Sequence, residues 1–282
     1  MIIDFHTHLF PPEMREKRTE YIAMDPHFAH LYGGPKARMA TAEDIIASMD
    51  HDGVDVSVAL SFGFNKAELC KSTNDYILDA IHRFPDRLVG FCTVQPNEGQ
   101  AAVEELRRCA EGGMRGLGEI MPDGQDFDLA DEHLVGPLME VVREYRMIVL
   151  VHSSEPVGHS YPGKGETTPK RLYRFIQKNP GVPIVCAHFG GGLPFYGLMP
   201  EVSSALSNTY FDTAAAPYLY RRSIYRQAAE IMGMDKLLFG SDYPLLGQGR
   251  CARHVQHAGL PRDLVERILG RNGARLLGME GA

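Results

Sequence analysis

The sequence predicts a distorted (β/α)8 barrel of the α/β class, a TIM barrel, in one domain spanning residues 1–282. Three observations carry this expectation. Eight short apolar or β-branched runs recur along the chain, and longer amphipathic stretches alternate strictly with them. The length, 282 residues, suits one such barrel, which takes about 250.

The strand candidates are MIIDF (1–5), VDVSVAL (54–60), RLVGFCTV (87–94), MRGLGEI (114–120), MIVLV (147–151), VPIVCAH (182–188), NTYFDT (208–213) and KLLFG (236–240). Several are nearly continuous apolar runs, as parallel strands covered on both faces require. Helices are expected between them. Segment 41–51 opens with Thr41 and has Asp44 three residues later, a variant of the capping box. Tyr76, Ile77, Ala80, Ile81 and Phe84 fall at helical spacing within 74–84. Segments 100–110 and 132–145 read the same way. Thr168-Pro169 supplies an N-cap and an N1 proline for the next helix. Segments 200–206, 219–232 and 261–277 complete the set.

Eight units in this length favour closure over an open doubly wound sheet. No G-x-G-x-x-G opens a helix after the first strand, and no Pro/Gly/Ser-rich linker marks a second domain. Three βα loops are long, 9–40, 121–131 and 153–167, and long loops in compact domains are often functional.

Hydrophobic residues at 44% and charged residues at 23% fit a globular chain with a buried core. The net charge of −7 argues against a general affinity for nucleic acid or anionic membrane. No apolar run is long enough to span a bilayer. The first residues lack a basic segment followed by an apolar one, so no signal peptide is expected. The five cysteines form no Cys-x-x-Cys and read as reduced thiols, which makes a cytoplasmic location the simplest expectation.

Barrel sites lie at the C-terminal ends of the strands. His6 and His8 end strand 1, Glu119 strand 4, His152 strand 5, His188 strand 6 and Asp242 strand 8. Alternate strand residues share a face, so His6 and His8 both face the barrel axis, with Thr7 turned away. Each residue alone has a bland reading: a satisfied core histidine, a helix-capping glutamate, a turn aspartate in Ser-Asp-Tyr-Pro. Six such coincidences at one end of one barrel point instead to a metal site. Imidazole and carboxylate suit Zn²⁺ foremost, with Mn²⁺ or Fe²⁺ as alternatives. Six ligands would serve two ions bridged by Glu119, or one ion with spare groups for acid–base work.

The chain resembles the amidohydrolase superfamily, in particular the amidohydrolase 2 group. The stretches that carry the likeness are IDFHTH (3–8), LVHSSEP (150–156), IVCAHFGGG (184–192), LLFGSDYP (237–244) and ILGRNGARLLG (268–278). That group includes aminocarboxymuconate-semialdehyde decarboxylase and related decarboxylases, hydratases and lactonases. The resemblance implies a barrel of the metal-dependent hydrolase type, with metal held by His6, His8, His152, His188 and Asp242 in some combination. Many superfamily hydrolases carry a carbamylated lysine on strand 4, where this chain has Glu119. GLGEI is similar to the strand-4 glutamate of TatD-type nucleases and some binuclear lactonases. The decarboxylases usually need a single metal and no strand-4 carboxylate. Glu119 beside an intact His-x-His therefore tilts the expectation toward a hydrolase. A cation-activated water would attack a carbonyl carbon of a lactone, ester or amide, Asp242 would carry the proton, and His188 would assist.

Substrate contacts are expected from His159, Tyr161 and Lys164 in the loop after strand 5, from Arg171 just beyond, from Tyr196 after strand 6, and from Tyr218 and Arg221 after strand 7. Such cations and aromatics suit a small carboxylic acid or lactone. The rival readings are a nonoxidative decarboxylase of an aromatic or muconate-type acid, a phosphoesterase or TatD-like nuclease, and a noncatalytic metal-binding scaffold. The expected partner is a small molecule, with no nucleic acid and no membrane. A homodimer is expected by analogy alone.

Overall fold

The computed structural model describes residues 1–279; the last three residues of the expected domain lie outside this range. Eight strands form one parallel sheet in sequence order: β1 Ile3–His8, β2 Val56–Leu60, β3 Leu88–Cys92, β4 Gly116–Ile120, β5 Ile148–Val151, β6 Ile184–Cys186, β7 Thr209–Asp212 and β8 Leu237–Leu238. Backbone bonds from Phe5 N to Phe239 O and from His8 N to Tyr243 O, each 2.7 Å, close the sheet between β8 and β1. The expected barrel is therefore formed. Its last strand is shorter than KLLFG suggested, because the chain leaves the ladder toward Ser241 and Asp242.

The core has two shells. Ile3, Phe5, Val58, Phe91, Leu150 and Leu238 fill the barrel interior. A larger shell, with Ala59, Cys92, Val149 and Phe239, packs between sheet and helices. The alternation of these residues along each strand is the period-2 pattern of a sheet buried on both faces.

Helix Ala42–Asp52 has the capping box expected of Thr41 and Asp44 and stops at Gly53, in the left-handed region at φ 69°. Helices Ala67–Arg83, Gln100–Glu111, Glu132–Glu144, Pro169–Lys178 and Pro200–Ala205 lie close to the expected segments. The first begins seven residues early. Thr168 precedes Pro169 as expected, but its side chain makes no capping bond. Segment 219–232 is two helices, Ala216–Leu219 and Ser223–Met232, broken at Tyr220. A helix at Gln248–Gln256 follows β8 and was not foreseen.

Loop 9–40 carries three short helices, Pro12–Glu16, Arg18–Met24 and Pro26–Tyr32. Loop 153–167 holds no regular element. Among the described residues, no helix is long and apolar enough to cross a membrane.

Candidate metal centre

The six expected ligands meet at the C-terminal mouth of the barrel. Two departures from regular strand pairing bring them there. The β1–β2 register slips between Asp4 and Thr7. Phe5 therefore faces the interior layer while His6 and His8 also turn inward above it. The β4–β5 register slips between Leu117 and Ile120. Simple alternation would turn Glu119 away from the face that Gly118 presents; the slip turns it in. Gly118 is required because a Cβ there would lie 2.7 Å from Leu150 O.

One group gathers around Glu119 Oε2. His6 Nε2 and His8 Nε2 lie 3.2 Å apart, and they sit 3.5 and 3.3 Å from that oxygen. Asp242 Oδ1 lies 3.8 and 3.5 Å from the same two nitrogens. Donors about 2.1 Å from a tetrahedral centre are themselves separated by about 3.4 Å, so these spacings fit a divalent cation. A second group gathers around Glu119 Oε1, with His152 Nδ1 at 3.0 Å and His188 Nε2 at 3.7 Å.

The surrounding hydrogen bonds aim the lone pairs. His6 Nδ1 meets Asp212 Oδ2 at 2.8 Å, His152 Nε2 donates to Gly163 O at 2.9 Å, and His188 Nδ1 donates to Ala214 O at 3.1 Å. Those oxygens only accept, so the proton sits on the outer nitrogen of each ring and the inner nitrogen faces Glu119. Inner lone pairs against carboxylate oxygens repel unless a cation or protons lie between them. His8 Nδ1 is buried without a hydrogen-bond partner among the described residues.

The titration directions agree. Burial opposes ionisation of Glu119, yet the charge of His6 and the bonds from His152, His188 and His6 hold its carboxyl well below the usual range. Burial likewise opposes ionisation of Asp242, and His8, His6 and His188 outweigh it, at about 2. Burial disfavours a charged His188, but Glu119 and Asp242 raise it to about 9. His6 is raised well above its ordinary value by Asp212 and Glu119, again against burial. The cluster demands positive charge, which a bound divalent cation supplies.

Two carboxylates behind the cluster escaped the sequence reading. Asp212, at the end of β7, holds His6 through Oδ2; through Oδ1 it accepts from the backbone of His188 at 2.9 Å and of Ala214 at 3.0 Å. Asking what ends each strand would have found it. Asp4 is fully buried, accepts from Ser241 N at 2.9 Å, Ser241 Oγ at 2.5 Å and Gln248 Nε2 at 3.0 Å, and so fixes the turn that presents Asp242. Nothing local in the sequence marks that role. His188, Phe189 and Asp242 occupy left-handed backbone at φ 54°, 56° and 64°. For non-glycine residues this costs about 1–3 kcal/mol each, and these anchors hold it in place.

Most of the expected substrate contacts have partners of their own within the chain. Lys164 Nζ donates to Val157 O at 2.7 Å and His159 O at 3.0 Å, and Arg171 pairs with Asp123 at 3.0 Å, so both cations brace loops. Tyr161 donates to Glu155 at 2.8 Å and its ring meets that of His159. Tyr196 and Tyr218 are half exposed, Tyr218 beneath Arg250 at 5.3 Å, and Arg221 is exposed.

The amidohydrolase family profile matches residues 3–279. The chain belongs to that family. A 2-amino-3-carboxymuconate-6-semialdehyde decarboxylase of Dictyostelium discoideum is 23% identical over 99% of this chain and 92% of its own length. The fold is shared with 5-carboxyvanillate decarboxylase of Novosphingobium aromaticivorans, solved with manganese and a nitrobenzoic acid, at TM-score 0.82, 18% identity and coverage of 99% and 97%. It is shared too with 2,6-dihydroxybenzoate decarboxylase from Rhizobium, at TM-score 0.74, 17% identity and 99% coverage of both chains. The family assignment agrees with the motifs IDFHTH and LLFGSDYP. These relatives are decarboxylases, the alternative expectation, and not the hydrolases expected first.

Proposed function

We propose that this amidohydrolase-family protein is a metal-dependent, nonoxidative decarboxylase of a small planar acid, aromatic or muconate-type. The observation that carries the reading is the match along nearly the whole chain to a decarboxylase.

His6, His8 and Asp242 would hold a divalent cation, with Glu119 in reach; Mn²⁺ and Zn²⁺ both suit this donor set. When bound, the cation would grip the substrate carboxylate and a neighbouring oxygen and withdraw electron density from the carbon to be protonated. The chain's residues supply the rest. Asp242, near 2, stays ionised and has no proton to give. His188 points Nε2 into the cluster and is the candidate proton donor. A proton passes from His188 Nε2 to the substrate carbon as the bond to the carboxylate breaks, leaving R–H and carbon dioxide.

A second reading, hydrolysis of a lactone, rests on Glu119, whose two oxygens each face a pair of imidazoles as in a bridged two-ion site. There ionised Asp242 would take the proton from the attacking water. Carbon dioxide release from hydroxybenzoates and muconate-type acids, assayed with Mn²⁺ or Zn²⁺ beside a lactone panel, separates the two. Lactone turnover with no carbon dioxide from any acid would sink the decarboxylase reading.

A further inference from the structure

Loop 153–167 carries the carbonyl that orients His152, yet it holds no regular element. Its neck is closed from within: Ser154 N donates to Thr167 O and Gly165 N to Ser154 Oγ, both at 2.9 Å. Its outgoing limb is held from the β7 side, where Tyr220 donates to Glu155 at 2.7 Å. Its returning limb, which contains Gly163, is held by Asp123. Oδ2 of Asp123 accepts from Glu166 N at 2.8 Å and from Thr167 N and Thr167 Oγ1 at 2.9 Å each. Oδ1 accepts from Arg171 at 3.0 Å. Gly165 lets the carboxylate come this close, because a Cβ there would strike it. Gly163 N adds a long bond to His30 Nε2, at 3.4 Å.

Asp123 stands on an anchored base. It lies four residues past Glu119, in the short helix Pro122–Gln125. Gln125 is fully buried; its Oε1 accepts from Met121 N at 3.1 Å and its Nε2 donates to Val94 O at 2.8 Å, which ties the helix to the segment after β3. A closed circuit results. It runs from Glu119 along the chain to Asp123, across to Thr167, and back along the loop to Gly163. The Gly163 carbonyl then meets His152 Nε2 at 2.9 Å, and His152 Nδ1 meets Glu119 Oε1 at 3.0 Å.

This circuit decides which ring nitrogen carries a proton. Glu119 Oε1 and Gly163 O both accept, and His152 lies between them. Without a fixed carbonyl at Nε2, the proton would move to Nδ1, where it meets a carboxylate, and no lone pair would face the cluster. We propose that Asp123 is the positioning residue for His152. By holding the returning limb it keeps a proton on Nε2 and leaves the Nδ1 lone pair to a cation beside Glu119 Oε1. This rests on the cluster being a cation site, as the decarboxylase reading requires. The two oxygens of Asp123 differ in this role: Oδ2 holds the loop, while Oδ1 meets only the exposed Arg171. Asparagine, with one acceptor oxygen in the place of Oδ2, should keep the loop, and alanine should release it.

The test is nitrogen-15 NMR of the histidine side chains in cation-free protein, with His152 assigned through His152→Gln, paired with calorimetric titration of Mn²⁺. Wild type should show a hydrogen-bonded, slowly exchanging Nε2–H on His152. Asp123→Ala should lose that signal and bind Mn²⁺ about tenfold or more weakly, the effect of losing an orienting partner. Asp123→Asn and Arg171→Ala should keep both. A wild type without a protected Nε2–H on His152 overturns the proposal, whether or not the alanine variant folds. An alanine variant that keeps the signal overturns it too, even if it melts lower, since it then reports loop stability alone. So does an asparagine variant that loses as much as alanine. A wild type that binds no Mn²⁺ overturns the cation site itself, while the Nε2–H signal still reads the role of Asp123.

Discussion

Replacing Asp212 by asparagine tests how the cation site is held. Asp212 serves three donors with two oxygens: His6 Nδ1 on one side, and the backbone N–H groups of His188 and Ala214 on the other. Asparagine has a single acceptor oxygen. If that oxygen keeps the two buried N–H groups, the amide NH₂ faces His6 Nδ1. The ring must then accept there, and its proton moves to Nε2, the atom that should bind the cation. Loss of such an orienting carboxylate typically weakens metal binding by about 10–100-fold, or about 1.4–2.7 kcal/mol. Alanine removes all three bonds. It also releases the left-handed turn at His188, so it should cost fold stability as well, by about 3 kcal/mol or more from two lost bonds to a charged group. The assay is competition with a chelator for Mn²⁺, paired with thermal melts in EDTA. Asparagine should lower affinity with a small change in melting, and alanine should lower both. Wild-type affinity in the asparagine variant would refute the role given to Asp212.

Three further outcomes follow from the same geometry. In EDTA, stability should fall as pH rises: His188 moves from 6.5 to about 9 on folding, so its contribution, about 3 kcal/mol at most, is complete below 6.5 and lost through about 9. A melting temperature in EDTA that holds or rises between pH 6 and pH 9.5 contradicts this; cation affinity, by contrast, should increase over that range because ligation needs neutral imidazole. Glu119→Gln should cut cation affinity at least about tenfold, and elemental analysis of the wild type at saturating Mn²⁺ distinguishes one ion, the decarboxylase arrangement, from two. Gly163→Ala puts a side chain at φ 91° with Cβ 3.1 Å from Leu31; it should displace the carbonyl that holds His152 and weaken cation binding, and unchanged affinity would detach loop 153–167 from the site.

Much of the site was legible because parallel barrels confine function to one end of the strands. Once the eight runs are placed, His6, His8, Glu119, His152, His188 and Asp242 share that end without any knowledge of distances. The expected substrate contacts rest on no such rule. Lys164 and Arg171 look like anion ligands in a loop, yet Lys164 is spent on two backbone carbonyls and Arg171 on Asp123. A long side chain takes the nearest partner, and that partner is set by folding.

From the sequence alone came the parallel barrel, its order and the donor types at its mouth, because apolar periodicity and strand-end chemistry are local properties. Tertiary structure decided how the donors are aimed. The register slips that turn His6 and Glu119 inward depend on neighbouring strands, and the tautomers of His6, His152 and His188 depend on Asp212, Gly163 and Ala214. The helix Pro26–Tyr32 of the first long loop is placed by packing on Phe62 and by the bond of His27 to Gly63 O. Those contacts join residues far apart in the chain, and no periodicity encodes them.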